Sequence, residues 1–374
     1  AWFPPPAVWE GPVAVAAAAA PVAGMGMVAD ATGRSHLLWF EAGGRQIFHA
    51  ARDETGWSGV RQVLTSDNGA LETIAVGGNG SRLMLVFRDA GGLQFAQADA
   101  QQPTQWTTPT ALVEGQGDIG EATVFAYQSG EFIVTYSIGL NEPRGIYLVR
   151  SADLGASWSE PAQIFSGAAA GWPAVGPAYL AETAGGRLHA IVSERALPPD
   201  NAIIGLDYSR SDDGGATWSA AVPVVETPTR WAAIFGDGER VVYLLWAEPA
   251  NDRLLLWHAL STDNGDTWGE GSQVGSVDGS DLPVATIDPT GQLHILGLDG
   301  GRLLSWTFNG AEWSAGEALT VNLADGGLLD AAVDATGHLI GAYAVAIPGS
   351  SDGETTGGLF AVERPLDLPA AALP

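Results

Sequence analysis

The chain has 374 residues, no cysteine and 14 tryptophans, and a formal charge of −27. That charge reflects a shortage of bases, 16 Arg and no Lys against 43 acidic residues, so nucleic acid and anionic membrane surfaces are poor partners. Without Cys there is no disulfide framework, no thiol nucleophile and no thiolate metal site.

In chain order, Ala1-Trp2-Phe3-Pro4-Pro5-Pro6 reads as an extended arm with an aromatic tip. The apolar stretch 13–28 is broken by Pro21 and loosened by Gly24 and Gly26. It reads as strand, turn and strand rather than as a leader or a membrane span. Beyond it, tryptophans recur at 9, 57, 106, 158, 218, 268 and 313, with spacings of 48, 49, 52, 60, 50 and 45. Such a period is the length of a four-stranded antiparallel unit. Between the tryptophans, Asp30-Ala31-Thr32-Gly33, Asp288-Pro289-Thr290-Gly291 and Asp334-Ala335-Thr336-Gly337 each join two apolar runs, as hairpin turns do. Apolar segments such as 83–87, 132–136, 188–192, 241–246 and 293–296 follow those turns or their equivalents, and no helical period persists over a dozen residues.

This is an all-β chain. Trp9 has too few residues before it to finish a unit of its own, while three strand-like runs after Trp313 lack a closing one. The economical solution is a seven-bladed β-propeller of four-stranded blades, its ring closed by the N-terminal strand in the last blade; six blades is the alternative. The domain reading is an arm over 1–8, one propeller over 9–365 and a Pro-broken tail over 366–374.

Three octapeptides share the form S-x-D-x-G-x-[ST]-W: Ser151, Asp153, Gly155 and Trp158; Ser211, Asp213, Gly215 and Trp218; Ser261, Asp263, Gly265 and Trp268. Asp and Ser/Thr can bond the backbone of a tight turn, Gly can take positive φ, and the indole can pack beneath the turn. These octapeptides resemble the Asp-box, or BNR repeat, of sialidase-like β-propellers. The resemblance implies boxes between the third and fourth strands, structural in role, on the face opposite the ligand site. It also implies what a sialidase would need: an Arg triad, a Tyr–Glu nucleophilic pair and an Asp acid. The early Arg-Ile-Pro motif of that family is missing, and Arg34 falls in a hairpin turn.

On the other face the candidates are Trp172, Arg195, Arg230 and Trp231 as ligand-binding residues, with Glu194 and Glu248 as a carboxylate pair that would serve a glycosidase. The same residues also suit ordinary surface loops. The tyrosines at 127, 136, 179, 208 and 243 fall in strand-like runs and read as packing residues. The six His lack ligand spacing, and no nucleophile elbow or P-loop is present. No cofactor is expected; Asp278–Asp281 and Asp352–Glu354 resemble Ca²⁺ loops only in part, and a simple turn explains them better.

Trp2, Phe3 and Trp9 are the assembly candidates. The reading that follows is a non-catalytic extracellular or cell-surface propeller, structural, adhesive or binding, with self-assembly into filaments through its termini in view. The alternative is a glycan-binding or glycoside-hydrolysing sialidase-like enzyme. Its partners are then further copies of itself or a glycan.

Overall fold

Seven antiparallel sheets stand in a ring around a central channel, each running from an inner strand to an outer one. The structure, a computed structural model, describes residues 8–366 and 368 apart from 115–118, 127–130, 201, 321–326 and 349–354. Trp2, Phe3, Tyr127, the Asp352–Glu354 turn and nearly all of the 366–374 tail therefore lie outside the described residues.

Blades 1 to 6 occupy residues 22–65, 73–114, 119–166, 174–225, 231–278 and 284–320 in turn. In blade 1 the fourth strand is split into Gly56–Trp57 and Arg61–Thr65, both paired to Gln46–Asp53. Blade 7 takes three strands from residues 329–365 and its outer strand from Glu10–Ala18, which pairs antiparallel with Thr355–Pro365. Seven blades and closure by the N-terminal strand are what the tryptophan spacing predicts.

The second strands are deeply buried, as in Leu293–Leu298 and Phe132–Ile138, because neighbouring sheets cover both their faces. Alternate side chains reach in opposite directions, one set toward the preceding blade and one toward the next. Between blades 4 and 5, Ile191, Leu206 and Tyr208 thus meet Ala232, Ile234, Leu244 and Trp246. Inner strands crowd together near the channel. A Cβ at Gly26 would come within 2.6 Å of Val76, so only glycine lets these strands approach.

One helix occurs among the described residues, the single turn Gly167–Ala170 between blades 3 and 4, capped by Ser166 and by Gly171 at φ 77°.

The closing seam is tied by side chains from distant parts of the chain. Trp9 packs with the cluster of blades 6 and 7, donates from Nε1 to Ser305 Oγ at 3.3 Å, and lies 5.5 Å under the Arg364 guanidinium. Asp330 on the last inner strand accepts from Met27 N at 2.7 Å on the first. Arg52 of blade 1 reaches both Asp334 and Glu363 of blade 7, at 3.0 and 2.5 Å. Trp9 thus packs into the closing seam.

Candidate ligand-binding cleft and the opposite face

Turns joining strands 1 to 2 and strands 3 to 4 gather on one face, with the boxes among them. In each box the serine hydroxyl donates to the aspartate and accepts the glycine N–H; for Ser261 these bonds are 2.7 Å to Asp263 Oδ1 and 2.8 Å from Gly265 N. The aspartate then accepts from the backbone N–H and hydroxyl of the next Ser/Thr, at 2.9 and 2.6 Å from Thr267. Boxes 151–158 and 211–218 repeat this geometry. Hydrogen bonds, first from Ser157 and Thr217, hold the Asp153 and Asp213 carboxyls down to about 2, and Asp263 is lowered further by the same arrangement. The indoles do more than sit under their own turns. Trp158 meets Phe95 edge-on at 4.8 Å and Trp268 meets Tyr208 at 5.2 Å, so each pins its blade to the preceding one.

The hairpin aspartates use the same chemistry in buried positions. Asp288 accepts from Thr290 N, Thr290 Oγ1 and Gln292 N, while its other oxygen faces His294 Nε2 at 3.2 Å. In blade 1, Asp30, His36 and His49 form a buried chain with links of 3.2 and 3.0 Å. Burial lowers both histidines, His49 to about 3.

On the far face, the ends of strands from blades 2, 3 and 4 enclose a cleft of about 310 Å³. Arg88 is the last residue but one of strand 2 of blade 2 (Arg82–Asp89), and Arg195 closes strand 2 of blade 4 (Arg187–Arg195). Between them lie Gly120 and Glu121 of strand Ile119–Ala126 and Ser137 of strand Phe132–Ile138. Arg88 bonds Glu72 and the Ile119 carbonyl. Arg195 lies 3.5 Å from Glu121, a loose contact at the edge of ion-pair range. Both arginines keep a buried Nε with no partner among the described residues. Arg195 can lie here because residue 176 is glycine: a Cβ there would come within 2.8 Å of its Nε.

Tyr179 packs against the cluster of blades 4 and 5, as the sequence suggests, and also nears the cleft. It is half-buried at the channel, and burial together with the Glu121 carboxylate pushes its phenol up, while Arg195 opposes that rise. Tyr136, Tyr208 and Tyr243 are packed between blades as the sequence suggests.

The other candidates are not brought together. Trp172 is 7% exposed, packed against Phe165 behind the one-turn helix, and offers no open ring face. Trp231 packs into the cluster of blades 5 and 6, and exposed Arg230 reaches the Gly279 carbonyl at 3.3 Å. Glu194 and Glu248 occupy equivalent places in consecutive blades and open onto different grooves. Glu194 shares the face of Val192, which packs on blade 3; burial raises its carboxyl, and burial with Glu194 and Glu226 raises neighbouring Asp207 to about 6. Glu248 faces blade 4, where its Oε1 accepts from Trp246 Nε1 at 2.9 Å and Thr227 Oγ1 at 2.6 Å. The two carboxylates thus have different neighbours, Glu194 on the side of blade 3 and Glu248 beside Thr227 and Trp246. Asp278 and Asp281 accept bonds from Ser280 N and Gly327 N, and the described residues contain no group of three metal-ligating side chains.

Sequence reading missed Arg88, Glu72, Glu121 and Ser137. One signal was available: Arg88, like Arg195, ends an apolar second strand just before its turn, which places it on this face.

A family model described as "BNR repeat-like domain" matches residues 46–295. No curated protein matches the chain. Among solved structures, an ulvan lyase of polysaccharide lyase family PL25 is similar at 9% identity and TM-score 0.55, over 91% of this chain and 94% of that one. The polysaccharide lyase Uly1 is similar at 14% identity and TM-score 0.54, over 90% and 89%. The Aleuria aurantia lectin, in complex with a fucosyl disaccharide, is similar at 13% identity and TM-score 0.51, over 81% and 97%. At these identities the likeness is one of fold.

Proposed function

The chain belongs to the family of BNR repeat-like domains, whose model spans more than half of it, and from that premise we propose that it is a non-catalytic carbohydrate-binding propeller. Its ligand is an acidic saccharide, seated in the cleft between blades 2 and 4. The reading rests on one observation: two guanidinium groups, Arg88 and Arg195, line one cleft of a protein that has only 16 bases. A guanidinium matches a carboxylate or sulfate in shape and charge. The surrounding −27 charge repels anions elsewhere on the surface, which favours selection at this place.

The reading includes the absence of turnover, which is supported by the cleft's lining: it holds two arginines, Arg88 and Arg195, and not the three that a sialidase would need. The test is calorimetry with oligouronates and with neutral oligosaccharides of equal length. Binding should be confined to the acidic series, weaken with salt, and fall at least tenfold in Arg88→Gln and Arg195→Gln. Reducing-end and unsaturated-product assays on the same ligands should stay at background. Turnover abolished by Tyr179→Phe or Glu121→Gln would replace this reading with an enzymatic one.

The setting fitting such a ligand is extracellular or at the cell surface. No helix among the described residues is long and apolar enough to cross a membrane. A second reading, self-assembly, is supported by the outer strand Glu10–Ala18. It carries no charge beyond Glu10 and leaves Val13 54% exposed on an unpaired sheet edge. Light scattering of full-length protein against a Val13→Lys variant tests it: concentration-dependent growth only in the former supports assembly.

A further inference from the structure

We propose a second saccharide pocket, in the groove between blades 4 and 5, that takes one uncharged sugar ring through its hydroxyl groups. It shares no residue with the Arg88–Arg195 cleft and does not depend on that assignment.

The groove holds a pocket of about 230 Å³. That is below the several hundred cubic ångströms usual for drug-sized ligands, and it suits a single ring. One wall is the outer strand Val222–Val225 of blade 4 with Glu226 and Thr227; the other is Trp246, Glu248 and Trp268 of blade 5. Part-buried Val224 and Trp268 provide the apolar surface that the C–H face of a pyranose needs, with Trp246, 7% exposed, behind them. The polar groups are acceptors and a hydroxyl, and both ionisable ones are carboxylates, so an anion is excluded and a ligand must bring its own donors.

Glu248 is set in place before any ligand arrives. Two donors, Trp246 from its own strand and Thr227 from the link between blades 4 and 5, fix its Oε1, and its Oε2 has no protein partner among the described residues. A sugar hydroxyl donating to that oxygen would make a charge-assisted bond without ordering the side chain first. Trp246 is equally fixed. It stacks on Trp257 at 6.2 Å and 11° between planes, and a Cβ at Gly271 would come within 2.7 Å of it.

The preceding groove provides the contrast. In matching register, blade 4 pairs Val192 with Asp207 where blade 5 pairs Trp246 with Trp257. Glu194 stands where Glu248 does, but beside an acid and with no indole to hold it. Only the blade 4–5 groove therefore joins a fixed carboxylate to an aromatic wall among these two.

The experiment titrates full-length protein with methyl α-L-fucopyranoside, methyl β-D-galactopyranoside and methyl β-D-glucopyranoside, by calorimetry and saturation-transfer NMR. At least one should bind saturably at millimolar strength, with its ring C–H protons receiving the transfer. Glu248→Gln, which keeps an oxygen for Trp246 and Thr227 but removes the charge, should weaken it about tenfold. Trp246→Leu should abolish it, and Arg88→Gln should leave it unchanged. Thermal unfolding of each variant separates lost binding from lost folding. No saturable binding by any glycoside would overturn the proposal. So would binding indifferent to Glu248→Gln in a folded variant, or binding confined to an amine-bearing sugar such as glucosamine.

Discussion

Blades 3 to 5 and the seam between blades 7 and 1 solve the same problem with opposite means. In the box-bearing blades the outer strand is fixed by bonds between residues two to four apart, such as Asp263 to Thr267. At the seam the ties run between the two ends of the chain: Met27 to Asp330, Arg52 to Asp334 and Glu363, Trp9 to Ser305. Local turns form without waiting for the ring, whereas the seam forms only when the first and last blades meet. Box carboxylates face solvent, while Asp334 is fully buried. The energetic cost of an error should follow that division.

The largest effect is expected from deleting residues 1–18, which removes the outer strand of blade 7 and the Trp9 plug. Calorimetry should show no single cooperative transition, and the protein should aggregate through the exposed edge of Thr355–Pro365. A sharp, unchanged transition would mean that closure adds little.

Next comes Arg52→Ala. It leaves Asp334 buried without its cation, a change that costs about 3–5 kcal/mol when a buried pair loses one partner. Urea unfolding measures it, and a loss below about 1 kcal/mol would show that water reaches Asp334 in the seam.

Acid sharpens the comparison through the signs of three shifts. His49 is lowered to about 3 from 6.5, so the unfolded chain binds the extra proton and stability falls as pH drops from 6.5 toward 3. Asp330, enclosed by the channel wall yet touched by its solvent, is raised by burial to about 6 from 3.8. Its native form holds the proton longer, and its contribution falls as pH rises through that window. The box aspartates, lowered to about 2, contribute above 3.8 and lose that contribution only as pH falls toward 2. Melting curves across pH should therefore steepen between 3 and 6.5 for Asp330→Asn and flatten there for His49→Gln. Curves that coincide with the parent would remove both groups from the account.

The smallest effect belongs to Asp263→Ala. It should lower the melting temperature modestly, less than Arg52→Ala does, and leave saccharide binding intact at both sites. Lost binding in a fully folded variant would give the box face a role it is not assigned here.

The architecture was legible because it repeats: tryptophan spacing, three boxes and three Asp-x-Thr-Gly hairpins each mark the same place in successive blades. Sites do not repeat, and that is where reading along the chain failed. Arg88 and Arg195 meet because blades 2 and 4 flank blade 3, a neighbourhood that no local pattern states. Trp172 seemed a platform until the one-turn helix Gly167–Ala170 folded it inward. Glu194 and Glu248 looked like partners because both follow apolar strands, yet that equivalence is what separates them by a whole blade.

Closure by the first strand also decides how the molecule can be held. Glu10 pairs with Glu363, and Leu366 N donates to the Gly337 carbonyl in a strand 1–2 turn, so both described ends of the chain emerge together on the box face. The cleft of Arg88 and Arg195 opens on the other. A tag, tether or fused domain at either end therefore leaves the cleft pointing away from whatever it is attached to, like a dish on its mast. For the same reason the two ends can be joined by a short linker and the chain cut anew between any two blades, which would move the seam without moving the sites.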